Sequence, residues 1–381
     1  MSTQLDIHLR KIDNKVSIDD NDRKPYTDVY NSIRDFLLNR MSEADPVFKR
    51  LYKGYNLFGS YMHNVRLEKP SEFDVLLTLR MPYGEKMRIR QDNDRPGFIQ
   101  LEFNDLLNEL NNDHSLRYVH SQLVKLTRDS ARKLLDRGKL GDWVASIIEK
   151  VMPRSLTSYG RSLDITYSKR SVAHTLYAKD CKDTDFSISI DFVVTVEIEN
   201  IEWLKTYSSY LDDYSSYLKL WYAVPKHFKS ENKSLSDFSF LLVNPKAEHD
   251  HLFNKQNLKV VFRLLKSLRD HFELDRLKSV FFTSMFLWKV KEMKENNRGR
   301  YWERSVGELF PEILNEFTTY FRKRELKYFW SPSHNLMGIL RPKELEEYSG
   351  KLEKVNKAFQ SLRGKRNLTY DDCAKYFEIP S

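Results

Sequence analysis

Hydrophobic and polar positions alternate with two different periods in the first half of the chain. Between about residues 25 and 53, apolar side chains recur every three or four positions, as they do on one face of a helix. This spacing predicts one long amphipathic helix from Pro25 to Lys53, ended by Gly54. Residues 72–79 and 185–198 instead alternate with a period of two, which predicts strands that bury one face.

The remaining elements are predicted from local composition and from the spacing of apolar residues along the chain. A polar segment with Gly and Pro at residues 81–97 predicts a hairpin or loop, and residues 122–152 have a helical pattern. Helical periodicities dominate after about residue 205. We therefore predict an α+β fold with two domains, a sheet-containing one at residues 1–205 and a helical one at residues 206–381.

Both predicted strands carry acids on their polar faces. Glu72 and Asp74 point to the same face, opposite Phe73, and Asp191 lies on the polar face of the later strand. Carboxylates held side by side repel each other unless a cation lies between them, and oxygen ligands of this kind suit Mg²⁺ or Mn²⁺. For a lone acid pair, an exposed strand edge that is simply polar is the favoured explanation, and the other motifs shift the balance towards a cation site.

Charge and cysteine content narrow the class of protein. The formal net charge of +9 over 381 residues favours a polyanionic partner, although lysines on helices are also ordinary solvated surface. Two cysteines, Cys181 and Cys373, cannot build a disulfide framework or a zinc ribbon. The N-terminal residues do not form a signal peptide, and no apolar stretch reaches membrane-spanning length. We expect a soluble protein of the cytoplasm.

Three motifs together resemble a known superfamily. Gly59-Ser60, the Glu-Phe-Asp of residues 72–74 and the third acid Asp191 resemble the nucleotidyltransferase superfamily. The stretches LWYAVPKHFK at 220–229 and TTYFRKRELKYFWSPSHNLM at 318–337 are similar to the Mab-21 and cyclic GMP-AMP synthase family. Within that family, the chain is most similar to the invertebrate cyclic GMP-AMP synthase-like receptors that sense double-stranded RNA, and the resemblance covers nearly the whole chain.

The resemblance implies a bilobal nucleotidyltransferase with a long N-terminal spine helix, a mixed-sheet catalytic lobe and a helical C-terminal lobe. In such enzymes a double-stranded nucleic acid activates the joining of ATP and GTP into a cyclic dinucleotide. The product is a second messenger for a receptor of the STING type in innate antiviral signalling. The family assigns two Mg²⁺ or Mn²⁺ ions to Glu72, Asp74 and Asp191, and the triphosphate to Gly59 and Ser60.

Further nucleotide contacts follow from the resemblance. Arg263 or Lys266 lies where a basic residue reaches the triphosphate, but the charged flank of an amphipathic helix explains both residues equally well. Ser279 and Phe281 lie nearest to the family's base-stacking aromatic. The segment 241–261 has no cysteine, so the resemblance implies no zinc, and we predict that the His-Asp-His of residues 249–251 is a solvated loop.

Duplex RNA is bound through backbone contacts, so the expected site is a stripe of basic residues. Absence of the zinc thumb favours RNA over DNA as activator within the family. The predicted RNA-binding residues near the first helix are Arg23, Lys24, Arg40, Lys49, Arg50 and Lys53. Those in the second half of the chain are Lys226, Lys229, Lys233, Lys246 and Lys255.

Two alternatives stay open. One is an RNA-activated transferase of the oligoadenylate synthetase kind, which shares the three acids. The other is a Mab-21-type nucleic-acid-binding scaffold without turnover, in which acids are often missing. The presence of all three acids argues against the scaffold.

Overall fold

The computed structural model describes residues 3–59, 65, 67, 70–128, 131–199, 202–203, 221–226 and 237–379. The chain forms two compact units, each built from segments that are not contiguous in sequence. One, here called the sheet unit, contains Arg23–Phe58 and Ser71–Ala247. The other, the helical unit, contains Met1–Asp22, Gly59–Pro70 and Glu248–Ser381. A single dividing position near residue 205 does not describe this arrangement.

The described helices and strands confirm an α+β fold. The helices are α1 Gln4–Val16, α2 Asp20–Ala44, α3 Pro46–Leu51, α4 Asn104–Asn112, α5 Arg117–Leu126, α6 Arg137–Val151, α7 Pro245–Leu252, α8 Gln256–His271, α9 Ser279–Glu295, α10 Val306–Lys323, α11 Pro342–Leu362 and α12 Tyr370–Ala374. The strands are β1 Tyr52–Phe58, β2 Glu72–Leu79, β3 Arg88–Gln91, β4 Ile99–Glu102, β5 Thr127–Arg128, β6 Leu134–Leu135, β7 Ser155–Ser158, β8 Arg161–Arg170, β9 Ala173–Asp180, β10 Ser187–Ile198, β11 Trp221–Pro225, β12 Phe240–Val243, β13 Lys327–Tyr328 and β14 Ser331–Asn335.

The sheet unit is built on a twelve-stranded mixed sheet. Its main path runs β5-β6-β4-β12-β11-β10-β9-β8-β7, with β3 beside β4 and β1 beside β2. Strands β2 and β10 pair in parallel, while β10 pairs antiparallel with β9 and β11. The β3–β4 pair confirms the hairpin predicted for the polar segment. Because it pairs with β2, β9 and β11, strand β10 lies in the middle of the sheet. It is buried at every second position from Ile188 to Phe192.

The prediction of one helix from Pro25 to Lys53 is wrong at both ends. Helix α2 begins earlier and stops at Ala44, because Pro46 has no N–H to continue the ladder. The Asp45 side chain accepts a hydrogen bond from the Phe48 N–H at 2.7 Å and thereby starts α3. Lys53 and Gly54 lie on strand β1, where Gly54 adopts φ +150° beside an irregularity in the β1–β2 register.

Three other predictions need correction. The single helix at 122–152 is two helices, α5 and α6, separated by the β5–β6 hairpin, and Asp136 caps α6 through the Lys139 N–H. The His-Asp-His segment lies on helix α7 rather than in a loop. Helix α1, which was not predicted, begins at the N-cap Thr3 and buries Leu5, Leu9, Ile12 and Val16.

Stacked aromatic rings fix the spine helix to the strand that carries the first two acids. The ring of Tyr30 on α2 lies 4.3 Å from the ring of Phe73 on β2, with 6° between their planes. Both residues are only 1 % exposed. Phe73 thus anchors β2 from the buried side of the sheet, which leaves Glu72 and Asp74 on the other side.

Among the helices of the described residues, none is long and apolar enough to cross a membrane.

Candidate active site

The three predicted acids lie on one face of two adjacent strands. In the parallel β2–β10 pair, Asp74 is directly opposite Asp191, and Glu72 is opposite Ser189. Residues opposed in register point to the same face of a sheet, and neighbouring strands are about 4.8 Å apart. Phe73 and Ile190, between the acids, are buried on the opposite face. The predicted alternation is confirmed from Glu72 to Val75 and from Ser187 to Val194, whereas both faces are buried in the rest of each strand.

The acids differ in exposure and support. Glu72 and Asp74 are exposed, and Asp191 is half-buried. Thr175 is opposite Asp191 on β9, and its Oγ1 donates a 2.6 Å hydrogen bond to Asp191 Oδ1. Thr175 itself is 5 % exposed. This contact was not predicted from the sequence, because only the β9–β10 register brings Thr175 and Asp191 together.

The donors fit a hard divalent cation in type and in placement on the sheet. Carboxylate oxygens are the ligands that Mg²⁺ and Mn²⁺ take, and the strand register gathers three of them on one face. As their side chains are oriented, no three acid, histidine or cysteine groups of the described residues converge on a single ion position. The support for a metal site therefore comes from the backbone positions of the three acids and from their ligand type, and not from the present side-chain orientations. An ion would need the carboxylates to rotate about their side-chain torsions.

The glycine of the predicted phosphate turn has a backbone conformation that favours glycine. Gly59 adopts φ +74°, in the left-handed region that favours glycine over residues with a Cβ. Ser60 and most of the segment that follows lie outside the described residues.

The two basic residues predicted for the triphosphate differ in their partners. Arg263 on α8 forms a two-point ion pair with Asp13 on α1, with N–O distances of 2.6 and 2.7 Å. Lys266, one turn further along α8, is 5 % exposed, and its Nζ donates to the backbone carbonyl of Val65 at 2.9 Å. Val65 belongs to the segment that follows Gly59. Arg263 therefore ties α8 to α1, while Lys266 contacts the phosphate-turn segment.

The predicted base-stacking position is not supported for the aromatic residue. Phe281 is 1 % exposed, because it lies on the buried side of α9 within the helical unit. A ring that stacks on a nucleobase needs an accessible face, so Phe281 does not provide one in this structure. Ser279, the first residue of α9, is half-buried.

The basic residues of the first helices lie largely on the surface. Lys24 and Arg40 on α2, Lys49 and Arg50 on α3 and Lys53 on β1 are exposed. Arg23 is half-buried, and Arg40 forms a 3.3 Å ion pair with Glu43. The exposed cations on α3 come one after the other at the C-terminal turn of that helix.

The basic residues of the second half are more varied. Lys226 and Lys246 are exposed, whereas Lys255 is half-buried, and this burial lowers the pKa of its ammonium group. Duplex RNA is bound at the protein surface, so Lys255 is a weaker candidate for an RNA contact than the exposed lysines are. Lys229 and Lys233 lie outside the described residues.

Comparison with known families matches most of the chain. Residues 61–238 match the model of the Mab-21 protein nucleotidyltransferase domain, and residues 257–354 match that of the Mab-21 protein HhH/H2TH-like domain. The three acids at Glu72, Asp74 and Asp191 all lie within the first match.

Individual relatives align over nearly their full length. A cyclic GMP-AMP synthase-like receptor of Drosophila eugracilis is 29 % identical over 368 residues, covering 95 % of this chain and 92 % of the relative. A cyclic GMP-AMP synthase-like protein of Drosophila melanogaster is 28 % identical, with 98 % and 99 % coverage. A cyclic GMP-AMP synthase-like receptor of Aethina tumida is 26 % identical, with 90 % and 84 % coverage. The chain thus belongs to the Mab-21 and cyclic GMP-AMP synthase-like family of nucleotidyltransferases.

Proposed function

We propose that this protein is a nucleotidyltransferase that double-stranded RNA activates to make a cyclic dinucleotide of the cyclic GMP-AMP type from ATP and GTP. The observation that carries the proposal is the register of β2 and β10, which opposes Asp74 to Asp191 and leaves Glu72 on the same face. A protein that kept the fold only as a scaffold has no need to retain three acids at these positions.

The proposed roles follow from the chemistry of each group. Glu72, Asp74 and Asp191 would hold two Mg²⁺ or Mn²⁺ ions, and the bound ions would supply the positive charge that favours ionisation of a ribose hydroxyl and offsets the charge of the triphosphate. Thr175 orients Asp191 through its hydroxyl. Gly59 and Ser60 approach the triphosphate through backbone N–H groups and the Ser60 hydroxyl.

Of the two basic candidates, we assign the triphosphate to Lys266. Its ammonium already contacts the segment that begins at Gly59. Arg263 is instead held by Asp13 in a two-point ion pair that is mostly buried. Moving Arg263 to a substrate would leave the Asp13 carboxylate buried and unpaired, which is costly.

The RNA is proposed to bind along α2 and α3 of the sheet unit, where Lys24, Arg40, Lys49 and Arg50 are exposed. Contacts to phosphates from a row of cations suit an A-form duplex, whose bases are poorly accessible. The names of the relatives support a receptor function, and the product would act on a receptor of the STING type in cytoplasmic antiviral signalling.

The test is incubation of the full chain with labelled ATP and GTP and Mg²⁺ or Mn²⁺, with double-stranded RNA, with double-stranded DNA, or without nucleic acid. A product that resists phosphatase and forms only with RNA is expected, and nuclease digestion would identify its linkages. Synthesis with DNA alone would overturn the assignment of the activator. A folded chain that is inactive under all conditions would favour the scaffold.

The RNA-activated oligonucleotide synthetase is the remaining candidate, because it uses the same three carboxylates. The same experiment separates the two functions. A cyclase joins two triphosphates and stops at one product, whereas an oligonucleotide synthetase gives a ladder of lengths that phosphatase shortens at its terminal phosphates.

A further inference from the structure

An open polar cavity lies between helices α4 and α5 of the sheet unit, away from the carboxylates of the candidate active site. Its volume is about 650 Å³. It is lined by Asn111, Asn112, His114, Arg117, His120 and Ser121. Each of these side chains can donate a hydrogen bond, and none is a carboxylate.

Within the described structure, none of the basic side chains that line the cavity is held in an ion pair. The side chains of His114, Arg117 and His120 form no hydrogen bond or ion pair with another described residue. The neighbouring acid, Asp113, is occupied by other groups: it accepts hydrogen bonds from the Ser115 N–H, the Ser115 hydroxyl and the Tyr83 hydroxyl. These bonds to Ser115 and Tyr83 lower the pKa of the Asp113 carboxyl. Asp113 therefore keeps its negative charge but is not ion-paired with Arg117. A guanidinium outside any ion pair, among neutral donors, is suited to a phosphate group.

Helix α5 presents the same chemistry along its outer face. Its sequence, RYVHSQLVKL, contains Arg117, His120 and Lys125 but no acid. Val119, Leu123 and Leu126 are buried, and this amphipathic arrangement turns the opposite face to solvent. On that face Tyr118 is 43 % exposed.

The cavity helix adjoins the proposed RNA surface. Helix α5 packs against α3, the helix that carries the exposed Lys49 and Arg50. Helix α3 follows α2 directly in the chain, so the cations of α3 belong to a helix that adjoins α2 in sequence and α5 in space. A ligand with phosphates repeated along its length can contact all three helices, whereas a mononucleotide can contact only one.

We propose that the α4–α5 cavity binds a backbone phosphate of double-stranded RNA and extends the RNA surface from α3 onto α5. Arg117 supplies the charge, and the Asn, Ser and His groups supply directed donors to the phosphate and sugar oxygens. This inference rests on the proposed function, because it assumes that duplex RNA is the activator. It adds a second contact region to that function.

The test uses the full chain and a fluorescently labelled RNA duplex, with affinity measured over a series of salt concentrations. Two variants alter the cavity differently: Arg117→Glu reverses its charge, and Ser121→Glu adds a carboxylate without removing a cation. Arg117→Lys is the conservative variant. Lys343→Glu, at an exposed position on α11 of the helical unit, is the matched control. Circular dichroism melting establishes that each variant is folded.

Both glutamate variants are expected to weaken RNA binding by about tenfold, and the salt dependence of Arg117→Glu should decrease by about one phosphate contact. Arg117→Lys and Lys343→Glu should bind as the unmodified protein does. Unchanged affinity in both folded glutamate variants, with RNA binding by the unmodified chain intact, would overturn the cavity and leave the proposed function standing. Failure of the unmodified chain to bind duplex RNA would remove both proposals.

A further measurement titrates inorganic phosphate, without RNA, into the unmodified protein and the glutamate variants. If the glutamate variants lose phosphate binding but keep RNA affinity, the cavity is a site for a small anion and the RNA assignment is wrong. An equal loss of affinity in Lys343→Glu would also contradict it, because the effect would then reflect net charge and not position.

Discussion

Asp74 and Asp191 occupy directly opposed positions of two adjacent parallel strands, so their carboxylates extend from the same face of the sheet. Two negative charges at such a spacing repel each other, and the folded chain carries that unfavourable energy. A divalent cation bound between the carboxylates would remove this repulsion, and the relief would favour binding of the cation. The arrangement is therefore expected to matter for metal-dependent turnover and not for folding.

Asp191→Asn should reduce synthesis of the proposed product to background, because the amide is a weaker ligand and carries no charge. The thermal midpoint should stay equal or rise, since one repelling charge is removed. Labelled-substrate assays and calorimetry measure the two effects. Asp164→Asn, at an exposed position on β8, is the matched control and should leave synthesis unchanged. Full activity in Asp191→Asn would eliminate the three-acid metal site.

Thr175→Val removes the hydroxyl that donates to Asp191 while keeping the side-chain shape on β9. Loss of a group that orients a metal ligand typically costs 10- to 100-fold in metal affinity or activity. We expect the concentration of Mn²⁺ needed for half-maximal synthesis to rise by about tenfold. Thr175→Ser, which keeps the hydroxyl, should restore the original requirement. An equal Mn²⁺ requirement in Thr175→Val would show that the hydrogen bond is only structural.

The sequence predicts the elements that repeat locally and misses those set by tertiary contacts. The period-two pattern at 72–79 and 185–198 identifies β2 and β10 because each strand alternates in its N-terminal part, although its C-terminal part is buried on both faces. Their pairing is not a local property, so the opposition of Asp74 to Asp191 and the support from Thr175 needed the structure. The Pro25–Lys53 prediction failed because apolar spacing continues across Asp45-Pro46, where the chain restarts as α3.

The partners of basic residues also depend on tertiary contacts that the sequence does not predict. The family resemblance pointed to both Arg263 and Lys266 as triphosphate candidates, and only the structure shows that Arg263 is paired with Asp13. The sequence also could not show that hydrogen-bond donors from α4 and α5 line one cavity, since neither segment forms a recognisable motif by itself.

Arg263→Gln and Lys266→Gln should therefore have different effects. Loss of the Arg263 guanidinium leaves Asp13 buried without its partner, and we expect a loss of about 3–5 kcal/mol in the free energy of unfolding. Loss of the Lys266 ammonium leaves no buried charge without a partner, so stability should change less, while KM for the triphosphates should rise by about tenfold. Urea unfolding and steady-state kinetics separate the two results. A raised KM in Arg263→Gln alone would reverse the assignment.

His174 makes stability depend on acid pH. Burial, with a smaller contribution from Lys169, lowers the pKa of His174 from its ordinary 6.5 to about 4. Its Nδ1 lies 2.8 Å from the hydroxyl of Tyr167, whose pKa burial raises to about 12, so the hydroxyl stays protonated and donates. Between pH 6.5 and about 4, His174 binds a proton in the unfolded chain but stays neutral in the folded chain. Stability is unaffected above pH 6.5 and falls as the pH drops towards 4, by up to about 3 kcal/mol.

His174→Gln removes this titration and provides the control. Urea unfolding at pH 7.5 and at pH values down to 4.5 should show a steeper loss of stability in the unmodified protein than in the variant. Parallel curves for the two proteins would mean that His174 is not held neutral in the folded chain.

Charge reversal on α3 tests the proposed RNA surface. Lys49 and Arg50 are exposed and consecutive, and in the described structure neither side chain forms an ion pair. The double variant Lys49→Glu/Arg50→Glu should need about tenfold more duplex RNA for half-maximal synthesis, with a salt dependence lower by about two phosphate contacts. At saturating RNA the rate should approach that of the unmodified protein, because the carboxylates are unchanged. Lys343→Glu/Lys354→Glu on α11 carries the same change in net charge and should require no additional RNA. If the two double variants respond alike, the duplex is attracted by overall charge and the RNA surface does not lie on α3.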